Sequence, residues 1–245
     1  MQKKKSGGFG ETIRTVIYAV LIAIVVRTVA YEPFNIPSAS MVPTLLIGDY
    51  LFVSKLSYGY SRHSLPFSFP PIPGRILFSE PERGDIAVFK LPSDPSVDYI
   101  KRIIGLPGDR IQMIRGVLHI NGQPVPRERV EDAVWHDNAG NVHRSPRYIE
   151  TLPGGRAHVI LEDRSDVGPL DDTREFTVPD EHYFMMGDNR DNSADSRANV
   201  GFVPRDNLVG RADVIFFSTN GSAALWEVWK WPMAIRFGRL FDLVR

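Results

Sequence analysis

The most restrictive feature of this 245-residue chain is an unbroken apolar run, VIYAVLIAIVV from Val16 to Val26, preceded by Lys3, Lys4, Lys5 and Arg14. A segment in lipid must satisfy its backbone polar groups internally, so such a run enters a bilayer only as a helix. Two readings fit it. The basic start, the apolar stretch and the small residues around Thr28-Val29-Ala30 describe a cleavable signal peptide. Alternatively, Ile13–Ala30 is an anchor whose 18 residues reach about 27 Å against a hydrocarbon core of about 30 Å. Arg14 and Arg27 sit near its ends, where long side chains snorkel to the headgroups. Positive charge before the run predicts a cytoplasmic N-terminus, with the rest of the chain across the membrane.

The remainder reads as a folded, mainly β protein. Apolar residues make up 43% and charged residues 24%, which excludes collagen-like, coiled-coil and polytopic chains. Lys+Arg and Asp+Glu both total 29, so no overall field favours nucleic acid. With no cysteine, disulfides, cysteine zinc sites, iron-sulfur clusters and cysteine nucleophiles are excluded. Short β-branched runs punctuated by Gly and Pro occur at DYLFVSK from Asp49, DIAVFKL from Asp85 and DYIKRIIG from Asp98. Ser64–Gly74 is a proline-rich loop, and Asn121-Gly122 between two strand-like runs is a hairpin signal. Polar residues from about Glu128 to Asp172 hold most of the histidines and read as an irregular insertion with a strand at Ala157–Leu161. The pattern predicts an antiparallel β-sheet domain over 32–112 and 174–219, interrupted by a smaller β subdomain over 113–173. A tail of fragments, 1–12 before an anchor at 13–31 and 220–245 at the end, completes the chain. In the final stretch Trp226, Trp229, Met233, Phe237, Leu240 and Val244 recur at helical spacing with basic residues between them. That pattern fits either a terminal amphipathic helix packed on the core or one lying in the bilayer interface.

Several catalytic signatures are missing: no HExxH, no GxxxxGK[ST] and no GxSxG. The six histidines lack ligand spacing and read as surface or structural residues. GDNRDNSADSR, Gly187–Arg197, fails the calcium-loop template, because Arg190 falls at the third position and Asn199 where the bidentate Glu belongs. Three segments remain: PSASMVPTL from Pro37, DYIKRIIGLPGD from Asp98, and GDNRDNSADSR itself. Taken singly, Lys101 reads as an edge lysine and the Asp/Arg alternation as a salt-bridged turn.

Together they closely resemble bacterial type I signal peptidases (leader peptidases), the membrane-bound serine proteases of exported preproteins. GDYLFV at Gly48–Val53, RGDIAVF at Arg83–Phe89 and GFVPRDNLVGRA at Gly201–Ala212 extend the resemblance in family order. It implies Ser40 as nucleophile and Lys101 as general base, with Ser193 orienting the lysine amine and Ser38 supplying an oxyanion-hole hydroxyl beside the Ser40 N–H. An ordinary lysine is neutral in about one part in a thousand at pH 7.5, so Lys101 must be buried to serve as a base near neutrality. Asp188, Arg190, Asp195 and Arg197 would hold the Ser193 loop without touching substrate, Arg190 and Arg197 both through Asp195. The resemblance further implies a substrate peptide, the end of a signal peptide with an Ala-X-Ala site. It would lie extended between Phe34, Ile36 and Pro37 on one side and Asp98, Tyr99 and Ile100 on the other. Secretory preproteins and the phospholipid bilayer are the implied partners, near the protein export machinery; no nucleic acid, metal or cofactor is expected. The membrane would be the plasma (inner) membrane, with the catalytic domain outside the cytoplasm. Chemistry starting ten residues after Ala30 favours the uncleaved anchor over a removed signal. Three other readings stay open: a self-cleaving repressor, similar in catalytic fold but soluble and DNA-binding; a specialised maturation peptidase; and an inactive scaffold that binds preproteins by strand addition.

Overall fold

The computed structural model describes residues 9–64, 74–137, 139–162, 168–223 and 226–244. Lys3–Lys5, most of the proline-rich loop expected at Ser64–Gly74, and Leu225 and Arg245 of the tail lie outside the described residues. The first element is α1, Phe9–Val29, 21 residues long. It starts about one turn before the expected Ile13, and at 1.5 Å per residue it is about 31 Å long, enough to cross a hydrocarbon core. None of its apolar window is buried in the protein, as a lipid-facing helix requires. It stops at Val29, and Tyr31 already opens β1 (Tyr31–Asn35). Glu32 at this junction pairs with Arg27 at 3.2 Å and with the buried Lys55 at 2.9 Å, tying the helix end to the sheet.

The main sheet is mainly antiparallel β, as expected. Its longer strands are β1, β2 (Asp49–Ser54), β3 (Ile86–Leu91) and β4 (Asp94–Gly105). The insertion supplies β5 (Arg110–Ile114), β6 (Val117–Ile120), β7 (Arg127–His136), β8 (Val142–Thr151) and β9 (Ala157–Leu161). The chain then returns to the main sheet with β10 (His182–Met186) and β11 (Leu208–Ser218). Spatial order in the main sheet is β1-β2-β11-β3-β4-β10, ending on the short strand Val203–Pro204. The insertion forms two small sheets, β7-β8-β9 and one built on the β5-β6 hairpin. They begin at Arg110 and close with Phe176–Thr177, slightly outside the expected 113–173. The Asn121-Gly122 signal does make a hairpin turn: both residues have positive φ, 55° and 77°, and join β6 to Gln123–Pro124.

Alternation of apolar residues along these strands builds the core that positions the site. Ile36, Met41, Leu45, Leu51, Val53, Ile86, Val88 and Ile215 form one cluster under β1, β2, β3 and β11. A second, smaller cluster packs Ala39 and Val42 against Trp135 and Leu161 of the insertion. The single turn Ala39–Met41 is therefore held from two sides.

The tail departs from expectation. Among the described residues of the tail only Trp231–Ala234 is α-helical, and the others form short turns and a two-residue strand, Asp242–Leu243, paired with β11. Pro232 starts the helix, and the arginines end it by reaching back into the body. Arg239 bonds both carboxylate oxygens of the fully buried Asp49, and Arg236 donates to the Ile47 carbonyl at 2.9 Å. Helical spacing of the aromatics is thus not used for helix packing; Trp226, Trp229, Met233, Phe237 and Phe241 are all exposed.

Candidate active site

Ser40 sits in the middle of the turn Ala39–Met41 and is 7% exposed. Met41 beneath it is fully buried, and the preceding Ser38 is extended, so the hydroxyl is presented at the end of a rigid entry strand. The chain after β10 clasps the turn from the other side. Asn189 N–H donates to the Ser40 carbonyl at 3.1 Å, and Asn189 Nδ2 donates to the Ala39 carbonyl at 3.2 Å.

Lys101 arrives from β4, paired across the ladder with Ala87, and is 4% exposed. Its Nζ lies 2.7 Å from Ser40 Oγ and 2.9 Å from the Ile100 carbonyl. Burial lowers its pKa from 10.5 to about 8, against the opposing pull of Asp195 and Asp188. Ser38 Oγ is 3.4 Å from Ser40 Oγ, in the same cavity.

Ser193 is buried beside the pair, but its hydroxyl does not bond the amine, whose hydrogen bonds go to Ser40 and Ile100. That hydroxyl is buried with no hydrogen-bond partner among the described residues, and behind it the Asp195 carboxyl is held below the usual range. Burial alone would raise that group; the Arg197 guanidinium, at 2.9 Å, is the stronger influence. Gly187 explains how the segments approach so closely. A Cβ there would lie 2.2 Å from Ser193 Oγ and 2.5 Å from the Ser40 carbonyl oxygen.

The charged residues of the loop divide differently from expectation. Arg197 pairs with Asp195 and also donates to the Arg190 carbonyl at 2.5 Å. Arg190, expected on Asp195, is bonded instead to Glu150 of β8, at 3.1 Å for Nη1 to Oε2, with Nη2 on the other oxygen. Its side chain runs toward the insertion, where Glu150 is completely buried and needs a cation. Asp188 accepts from Arg102 Nε at 2.8 Å and Nη2 at 2.7 Å, and from Thr44 Oγ1 at 2.5 Å. Neither Arg102 nor Glu150 stood out in the sequence, since nothing local in β4 or β8 marks a residue that pairs across the fold. Gly187 was visible only as part of its motif.

Phe34, Ile36 and Pro37 of the β1 segment and Asp98, Tyr99 and Ile100 of β4 line one cavity of about 920 Å³. Two strand edges flank it. β1 pairs only with β2, and β10 pairs with β4 only from Arg102 onward, so Asp98–Lys101 is unpaired on that side among the described strands. His158 is buried near Glu150 and its pKa falls to about 4 through burial, a structural histidine. Among the described residues Glu162, Asp171 and Asp191 bring carboxylate oxygens within 4.8 Å of one another. Burial raises the Glu162 carboxyl to about 8, and Arg127 lies 3.6 Å from it.

The sequence comparisons agree with this geometry. The family model described as "Signal peptidase, peptidase S26" matches residues 9–217. Signal peptidase I of Rickettsia typhi is 44% identical over 215 residues, 83% of this chain and 78% of that protein. Signal peptidase I of Rickettsia canadensis is 42% identical over 240 residues, 91% of this chain and 89% of that protein. A crystal structure of a signal peptidase I from Enterococcus faecalis V583 is 26% identical and covers 54% of this chain and 97% of that one, with a TM-score of 0.33. That overlap is too low to argue from, and the assignment rests on sequence. A serine 2.7 Å from a buried lysine, a family match over most of the chain and relatives above 40% identity lead to one conclusion: the chain belongs to the signal peptidase I family of serine endopeptidases, peptidase S26.

Proposed function

We propose that the chain is a membrane-anchored endopeptidase that removes signal peptides after small residues, with Ser40 as nucleophile and neutral Lys101 as general base. The observation that carries this reading is the 2.7 Å contact between Lys101 Nζ and Ser40 Oγ inside the fold. A preprotein adds as a strand between β1 and the Asp98–Lys101 edge, where main-chain groups are available on both sides. Its residues before the scissile bond lie along Phe34, Ile36, Pro37, Asp98, Tyr99 and Ile100, and the close walls at Ser38 and Ser40 accept an Ala-X-Ala sequence. Lys101 takes the Ser40 proton as Oγ attacks the carbonyl carbon. The resulting oxyanion is met by the Ser38 hydroxyl and the Ser40 N–H, and one such donor is worth about 3 to 4 kcal/mol. Lys101 then returns the proton to the leaving amine, and the acyl group on Ser40 is hydrolysed by water with Lys101 again as base. Ser193 and Asp195 act as positioning residues behind the amine.

α1 acts as a single span with a cytoplasmic N-terminus and holds the site at the far face of the plasma membrane, near the export machinery. The length and lipid-facing exposure of α1 support this. The test is cleavage of an Ala-X-Ala preprotein in detergent or lipid by wild type, Ser40→Ala and Lys101→Ala. Both variants should lose about a thousandfold or more of kcat while remaining folded. Retention of most activity by Lys101→Ala would remove the lysine from the mechanism. A wild type that binds but never cuts would favour the scaffold reading.

A further inference from the structure

We infer that Glu32, shared between Arg27 of α1 and the buried Lys55, is a positioning residue that fixes the distance from the end of α1 to Ser40, so that substrates are selected by the number of residues between their apolar segment and the cut. The inference rests on the membrane-anchored serine peptidase reading and deepens it, from how the bond is cut to which bond is cut. The groove connects the two places. Its cavity runs from Pro37, Tyr99 and Ile100, which also border the cavity holding Ser40 and Lys101, to Ile24, Arg27 and Thr28 in the last turns of α1. A peptide beside β1 with its scissile carbonyl at Ser40 reaches the end of α1 only after passing Tyr31–Pro37, about seven residues or roughly 23 Å of extended chain. Beyond that point the apolar segment of a signal peptide lies helical in lipid beside α1. The two directions of misfit are unequal. A spacer that is too short pulls apolar residues out of the bilayer, at about tenfold or more in affinity for each. One that is too long loops out, which costs little.

The junction is built to hold that distance. One Glu32 carboxylate oxygen meets Arg27 at 3.2 Å and the other meets Lys55 at 2.9 Å. Lys55 is 3% exposed, and its amine also donates to the Ser64 carbonyl at 2.6 Å. The Lys55 backbone N–H donates to the Ala30 carbonyl at 3.0 Å, and the Tyr60 hydroxyl donates to the Val29 carbonyl. Two carbonyls at the end of α1, where a helix has no partner of its own to offer, are thus taken by the β domain. A buried lysine–carboxylate pair adds little net stability compared with apolar packing. What this one adds is direction: it sets where the end of α1 stands relative to β1, and β1 leads without interruption to Ser40.

The experiment uses the full chain in phosphatidylcholine vesicles and membrane-inserted substrates with one apolar segment, one Ala-X-Ala site and a spacer of about three to eleven residues between that segment and the scissile bond, centred on the expected seven. Wild type should show kcat/KM at least about tenfold lower with a spacer of about three than with about seven, and a change below about threefold from seven to eleven. Lys55→Met combined with Glu32→Gln removes both charges and leaves no buried charge without its partner. That variant should cut a soluble Ala-X-Ala peptide, too short to reach the junction, as wild type does, while its penalty for the short spacer shrinks to about threefold or less. Arg27→Gln, at a side chain 66% exposed, breaks only the helix arm and should lower the penalty too; it decides alone should the double variant fail to fold. A wild type indifferent to spacer length, or a short-spacer penalty that no folded variant lowers, would overturn the inference while cleavage of the soluble peptide leaves the Ser40–Lys101 reading intact. Failure of wild type to cut the soluble peptide at all would overturn both.

Discussion

Replacing Lys101 by methionine should inactivate the protein and stabilise it, with a pH signature that isolates the buried amine. Methionine keeps most of the volume and removes the charge. In the folded chain burial lowers the lysine pKa from 10.5 to about 8. In the unfolded chain it returns to the ordinary value, so below pH 8 unfolding gains a proton-binding site more favourable by about 2.5 pKa units, or about 3 kcal/mol. The sign follows directly. The penalty on the native state is complete below about pH 8, declines between about pH 8 and 10.5, and vanishes above. Lys101→Met should therefore unfold at a temperature higher by about 6 to 12 °C at pH 7, less whatever the lost hydrogen bonds to Ser40 and Ile100 contributed. The difference between variant and wild type should shrink toward pH 10.5, while other titrating groups cancel in it. Thermal unfolding from pH 6 to 10.5 gives the stability curve. Peptide cleavage by wild type over the same range should rise with a midpoint near pH 8. A stability difference that does not vary with pH, or a cleavage midpoint near 10.5, would refute the argument that burial tunes this lysine.

Gly187→Ala should reduce activity at least a hundredfold and destabilise the fold by roughly 2 to 4 kcal/mol. Its Cβ would press on Ser193 Oγ and on the Ser40 backbone carbonyl, which cannot move without moving the Ser40 hydroxyl; denaturation and kcat together check this. Arg197→Gln should shift the cleavage midpoint to higher pH by about one unit, since the uncompensated Asp195 carboxylate would then favour the Lys101 ammonium. The pH profile of the folded fraction tests it, and an unchanged midpoint would count against electrostatic control. Arg239→Ala should cost roughly 2 to 4 kcal/mol by leaving Asp49 buried without its closest cation. Limited proteolysis should then cut the tail first.

The sequence disclosed the N-terminal apolar helix, the β class and the three segments that converge on Ser40, because each is a local pattern: an apolar run, short β-branched runs, a motif of fixed spacing. The hairpin at Asn121-Gly122 was readable for the same reason, since those two residues tolerate the positive φ that the turn demands. What could not be read were pairings set by the tertiary fold. Arg190 and Arg197 look equivalent in GDNRDNSADSR, yet one turns to Asp195 and the other crosses to Glu150 on β8. Arg102 is adjacent to Lys101 and faces the opposite side of the strand, so period two, not any motif, sends it to Asp188. The helical spacing of the tail does not make a long helix, because Arg236 and Arg239 bind the segment around Asp49, and local periodicity cannot weigh that competition.

The three arginine–carboxylate pairs account for how a lysine so near two acids can titrate near 8. Asp188 and Asp195 both raise the Lys101 pKa, and burial lowers it. If either carboxylate stood alone in this buried region, it would bind the ammonium and keep the base protonated at working pH. Arg102 on Asp188 and Arg197 on Asp195 make each a nearly neutral unit at the position of Lys101, so desolvation prevails. The Arg190–Glu150 pair plays a different part. It fixes the loop carrying Ser193 to the insertion, and the insertion in turn packs Trp135 on Ala39 beside Ser40. Buried ion pairs add little net stability compared with apolar packing. Here they let carboxylates shape the loop without supplying a counter-ion to Lys101, which is a requirement of the proposed chemistry and not of the fold.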